Sequence, residues 1–200
     1  MHAYPSASLT LFTRDGRRKY LTAAERERFI SAALGFARSE IGTLCLVIAY
    51  TGCRISEALS LTVGSVDAAE SAIVFRSLKK RQAVAFRPVP VPPELVRRLN
   101  ATHGLSERDS GAHLWSLSRC RAWQLIKLVM VHAQVASGPH RTPKGLRHGF
   151  GIHALRSGVP VNLVQRWLGH ADIATTAIYL EAMGEEEREF ASRMWGVFPN

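Results

Sequence analysis

The chain has 200 residues, a formal net charge of +10 and a pI near 10.3, with 46% hydrophobic and 21% charged residues. That suits one ordinary globular domain with a real core and excludes an intrinsically disordered chain. No apolar run reaches the ~18 residues of a membrane span, and the N-terminus lacks the basic-then-apolar pattern of a signal peptide. A cytoplasmic protein with no membrane contact is therefore expected. The positive surplus favours a polyanionic partner, nucleic acid first.

Residues 1–20 are polar and basic, with Arg14, Arg17, Arg18 and Lys19 close together, which predicts a flexible arm or an edge hairpin. Thr22 and Glu25 form a Thr-x-x-Glu capping box ahead of the apolar-periodic segment LTAAERERFISAAL, so a helix starts there. IGTLCLVIAYTG is nearly all apolar and predicts a buried helix ended by Gly52. SEALSLTVGSVD predicts a short helix dropping into a turn. Over residues 72–91 the period changes to alternation around a basic turn, the mark of a hairpin or small three-stranded sheet. Pro88, Pro90, Pro92 and Pro93 confine its last strand to an edge and then stop it.

PPELVRRL restarts helix with proline in the first turn. RCRAWQLIKLVMVHAQVA is a long amphipathic helix. KGLRHGFGIHALRSG is another, stopped by Gly158, and VPVNLVQRWLGH follows it. Asp172 caps IATTAIYL, a marginal helix because of its β-branched residues. GEEEREFASRMWGVF is a final amphipathic helix with Phe190, Met194, Trp195 and Phe198 on one stripe, docking in cis or in trans. The expected fold is mainly α with a small antiparallel β-sheet. Cys45, Cys53 and Cys120 are odd in number and widely spaced, so neither a disulfide framework nor a metal pair is indicated. Cys53 is a small buried residue beside Arg54. His148 and His153 lack the companions a metal site needs.

One set of residues carries chemistry. Phosphodiester transfer needs a nucleophile, positive charge on the non-bridging oxygens and a proton donor for the leaving oxygen. Arginine forks grip phosphate oxygens and stay charged. A lysine among other cations can surrender its proton, and a phenolate attacks well and leaves again. The segment TPKGLRHGFGIHAL holds Lys144, Arg147 and His148. WLGHADIATTAIYL holds His170, with Tyr179 nine residues on, and TGCRISEAL holds Arg54 with Glu57 one turn later.

These frames, in this order and over most of the chain, resemble the tyrosine recombinase (phage integrase) family, whose members cut and rejoin DNA through a 3′-phosphotyrosyl bond. The resemblance implies the fold of that family's catalytic domain over residues 21–183, with 1–20 a basic arm and 184–200 a C-terminal helix. It implies that Arg54, Arg147 and His170 hold the scissile phosphate. Lys79, or alternatively Lys80, protonates the leaving oxygen, Lys144 or His170 assists deprotonation, and Tyr179 is the nucleophile. Lys80, Arg81, Arg141 and Arg166 are expected DNA contacts, and His148 an expected packing and hydrogen-bonding residue behind the site. Trp167 and Leu168 read as core. No metal or nucleotide cofactor is implied. The partners would be double-stranded DNA and further copies of the chain, four on two sites.

The family usually has histidine where Lys144 stands, which changes the proton bookkeeping. The frames also begin close to Met1, leading us to expect a minimal recombinase like the fimbrial phase-switch invertases, or a fragment. Two binding-module alternatives stand beside the recombinase. One is a catalytically impaired DNA-binding regulator on the same scaffold. The other is a helix-turn-helix repressor built on ALRSGVPVNLVQRWLGH. An enzyme rival is a topoisomerase-like relaxase.

Overall fold

The computed structural model of the chain describes residues 10–78 and 84–180. Residues 10–20 form the hairpin of the two expected alternatives: Phe12 bridges Arg18 in antiparallel fashion, and Leu11 is fully buried beneath. Helix α1 spans Ala23–Leu34. Its capping box forms as expected, with the Thr22 hydroxyl accepting from the Glu25 N–H and the Glu25 carboxylate accepting from the Thr22 N–H at 2.9 Å.

Helix α2 (Ser39–Thr51) is buried from Ile41 to Ala49. Its all-round hydrophobicity follows from its position, since α1 and the later helices pack on it from several sides. It ends at Gly52, whose φ of +62° turns the chain so that its N–H returns to the Ile48 carbonyl at 2.9 Å. That turn delivers Arg54 to the N-terminus of the short helix α3 (Ile55–Leu59).

A 3-10 turn at Val63–Ser65 leads into the sheet: β1 (Val66–Asp67), β2 (Ala72–Leu78) and β3 (Val84–Pro90), antiparallel in the order β1-β2-β3. Pro88 and Pro90 lie on the edge strand, where a missing N–H costs no ladder bond. Then come α4 (Pro93–His103), α5 (Arg119–His132), α6 (Pro143–Arg156), α7 (Val161–Leu168) and α8 (Ala174–Ala177).

Helix α6 is the axis of the molecule. Thr142 caps it, accepting from the Gly145 N–H at 3.0 Å, and Pro143 opens its first turn. Its residues Leu146 to Ile152 are all buried, because α1, α2, α5 and α7 surround it. It separates a large core around α2 from a smaller one made by Leu11, Phe150, Ile152, Leu155, Val164, Leu168, Ile178 and Tyr179. Helix α7 packs on α6, α8 and β3. The α6–α7 pair is joined through Gly158 at φ +80°; α6 is buried along most of its length, and α7 buries Val164 and Leu168 against its neighbours while Asn162 and Arg166 are exposed. Helix α8 is shorter than IATTAIYL, and Asp172 accepts from the Ala174 N–H at 2.9 Å, just outside it. Lys79, Lys80, Arg81 and residues 184–200 lie outside the described residues.

No helix among the described residues is long and apolar enough to cross a membrane.

Candidate active site

A cleft of about 660 Å³ opens between the N-termini of α3, α5 and α6 and the turn after α7. Arg54, Lys144, Arg147, His170 and Tyr179 all line it, although the outermost pair are 125 residues apart in the chain. His148 lines it as well. Arg141 and Arg166 do not: Arg166 is exposed on α7, and Arg141 bonds the Val135 carbonyl and the Ser137 hydroxyl of its own loop.

Arg147 is 7% exposed. Its guanidinium donates to the Gly52 carbonyl at 2.7 Å and to the Leu168 carbonyl at 2.8 Å, joining the C-terminal ends of α2 and α7. Both are places where helix carbonyls lack intrahelical partners and favour a cation. Burial, with Arg54 close by, lowers its pKa to about 10, which leaves it charged at neutral pH. Arg54 is the opposite case: its side chain is half exposed and faces the cleft.

Glu57 ties the arginines together. One carboxylate oxygen accepts from the Arg54 backbone N–H at 2.7 Å, which also caps α3. The other accepts from the Arg54 side chain at 3.3 Å and from Arg87 at 3.1 Å. Arg147 approaches to 3.8 Å. Three guanidinium groups share one carboxylate, so the cleft floor keeps a positive surplus suited to a phosphate.

Tyr179 follows α8 and turns inward, 1% exposed. Its hydroxyl lies 3.2 Å from Nδ1 of His148, and its ring stacks against His170 at 6.3 Å between centroids. Gly151 makes room for the ring, since a Cβ there would come within 2.6 Å of it. Burial pushes the Tyr179 phenol up to about 12, against the pull of Arg147 and Arg54. Burial and the neighbouring cations push His148 down to about 4 and His170 down to about 3. Both imidazoles are therefore neutral at pH 7, able to accept a hydrogen bond but weak as bases in this resting site. His170 is oriented by Thr176, whose hydroxyl is 2.8 Å from its Nδ1.

Cys53 is buried beneath the site, its thiol pushed up to about 12 by burial, which suits a packing residue. Among the described residues no cluster of three or more His, Cys, Asp or Glu could hold a metal ion.

His148, expected to pack and to form hydrogen bonds, touches the Tyr179 hydroxyl, and Lys144 sits exposed at the start of α6. One feature escaped sequence reasoning. Arg87 received no role at all, yet alternation along β3 places it on the buried face with Val89. A charged residue on a buried strand face was the signal available.

The sequence model of the phage integrase family matches residues 19–186, and the chain belongs to that family. Tyrosine recombinase XerD of Mycobacterium leprae (strain TN) is 33% identical over 188 residues, covering 82% of this chain and 57% of the relative. The crystal structure of XerA recombinase superimposes with a TM-score of 0.73 at 28% identity, over 90% of this chain and 66% of that one. XerH site-specific recombinase bound to a palindromic difH substrate, in a post-cleavage complex, gives 0.75 at 20% identity, over 94% and 55%. That last likeness speaks to the fold alone. The mainly helical fold with its small sheet is the tyrosine recombinase fold. The chain spans just over half the length of the XerD relative.

Proposed function

We propose that this chain is a site-specific recombinase that breaks and rejoins double-stranded DNA by transesterification through Tyr179. The observation that carries the reading is the convergence of Arg54, Lys144, Arg147, His170 and Tyr179 on one cleft. Arg54 and Arg147, with His170, hold the scissile phosphate and stabilise its pentacoordinate transition state. Tyr179 attacks phosphorus and the 5′ oxygen leaves, taking its proton from Lys79. The products are a 3′-phosphotyrosyl link and a free 5′ hydroxyl. A 5′ hydroxyl of the partner strand then reverses the step, and no net bond energy is lost. Lys144 or His170 assists deprotonation of Tyr179, and His148, at 3.2 Å, is placed to take part. Guanidinium charge does the work a metal would do elsewhere, so no cofactor enters.

In this reading residues 21–183 are the catalytic domain, 1–20 a basic arm and 184–200 a docking helix. Lys80, Arg81, Arg141 and Arg166 contact the phosphate backbone, which positions the duplex without reading sequence. Four copies act on two sites, in the cytoplasm. Nicked duplexes run with wild type and Tyr179→Phe in EDTA on a denaturing gel test the chemistry. A covalent adduct with wild type alone supports it; no adduct with either rejects it.

One observation favours a second reading, a catalytically impaired DNA-binding regulator. Tyr179 is buried with its phenol pushed up to about 12, and Lys144 stands where histidine is usual. That reading predicts DNA binding and biological effect unchanged by Tyr179→Phe.

A further inference from the structure

Arg87 is buried to 7% exposure on β3, outside the lining of the cleft. Its guanidinium lies over the Phe75 ring, 4.7 Å from the centroid, and pairs with Glu57 at 3.1 Å. Its Nε and Nη1 are buried without a hydrogen-bond partner among the described residues. A guanidinium so poorly satisfied costs stability, and an apolar side chain of similar size would fill the site at less cost. Packing alone therefore does not account for it.

Its surroundings do. Nη1 packs against the turn that carries His170, so closely that a Cβ on Gly169 would lie 2.1 Å from it, and Gly169 itself holds φ +67°. Arg147 grips the same turn through the Leu168 carbonyl at 2.8 Å. Arg87 also competes with Arg54 for the same oxygen of Glu57.

We propose that Arg87 is a positioning residue for the phosphate clamp. It neutralises and anchors Glu57, so that the Arg54 fork is left for the scissile phosphate, and it sets the Leu168–His170 turn. This rests on the recombinase reading. Without Arg87, the full charge of Glu57 falls on Arg54 and Arg147, and both hold a phosphate less well.

The test uses a duplex selected from a randomised nicked library by covalent capture on the wild-type chain. It is prepared with either a phosphodiester or a methylphosphonate at the scissile position. The methylphosphonate is uncharged, so it depends less on the clamp. For Arg87→Gln, adduct formation on the phosphodiester should fall ~10²-fold, with DNA affinity within ~3-fold of wild type and less than ~10-fold loss on the methylphosphonate. Arg87→Lys, which keeps a cation on Glu57, should recover at least ~10-fold of the phosphodiester rate. Equal losses on both substrates, or wild-type rates on both, overturn the inference while leaving the recombinase reading intact. If Arg87→Gln does not fold, the same comparison is made with Arg87→Lys, and a uniform loss overturns it. No capture by the wild-type chain overturns the proposed function and this inference with it.

Discussion

The Tyr179 hydroxyl and Nδ1 of His148 are 3.2 Å apart in a pocket where the phenol is pushed up to about 12 and the imidazole down to about 4. At these values the imidazole is a weak base for the resting phenol, and the contact holds the Tyr179 hydroxyl in place by a hydrogen bond. His148→Phe keeps the ring and removes the acceptor. Adduct formation should drop by ~10²-fold with the protein still folded. The check is single-turnover cleavage alongside a thermal melt, and an unchanged rate rejects a role for His148.

The same burial makes stability depend on pH. His148 titrates at about 4 in the folded chain, against 6.5 when unfolded. Below 6.5 the unfolded state binds a proton that the folded state refuses. The stabilisation is complete above 6.5 and is lost as the pH falls toward 4, by at most about 1.4 kcal/mol per pH unit. His170, pushed down to about 3, acts in the same direction. Urea midpoints measured between pH 7 and 4 should fall, and His148→Gln should flatten the fall.

Arg54 and Arg147 share a cleft but not a structural role. Arg54→Ala should change stability by less than about 1 kcal/mol, because its ion pair is exposed, yet cut adduct formation at least ~10²-fold. Arg147→Ala should cost about 3 kcal/mol as well, since it strands the Gly52 and Leu168 carbonyls. Chemical denaturation with parallel cleavage assays separates the two.

Glu25 anchors the N-terminal hairpin away from the site. Burial opposes its charge, but the fork of Arg18, both bonds 2.7 Å, and the Thr22 N–H hold it down to about 2. His140 also faces it at 3.5 Å. Glu25→Ala should cost about 3 kcal/mol in a urea titration, with the cleavage rate of the remaining folded protein unchanged. Its contribution is present above pH 4.5 and disappears as the pH falls through about 2.

Local signals carried much of the architecture. The Thr22–Glu25 box, the left-handed stop at Gly52 and the prolines of β3 each act within a few residues, and each appears where its chemistry requires. Arg54, Lys144, Arg147, His170 and Tyr179 were legible because short frames surround them. What stayed hidden depends on contacts between distant segments. Arg147 is fixed by carbonyls 95 and 21 residues away, and His148 meets Tyr179 across 31 residues. Arg87 reaches Glu57 across 30 residues and belongs to no frame at all. A periodicity argument says which face a side chain takes, not which charge waits there.

The most direct measurement is the identity of the covalent link. The wild-type chain is trapped on a nicked duplex in EDTA, digested, and the nucleotide-bearing peptide sequenced by mass spectrometry. The account predicts a 3′-phosphate on Tyr179, with a free 5′ hydroxyl on the other strand end. A link through another residue or to a 5′-phosphate, or no link at all from protein that binds the duplex, would contradict it.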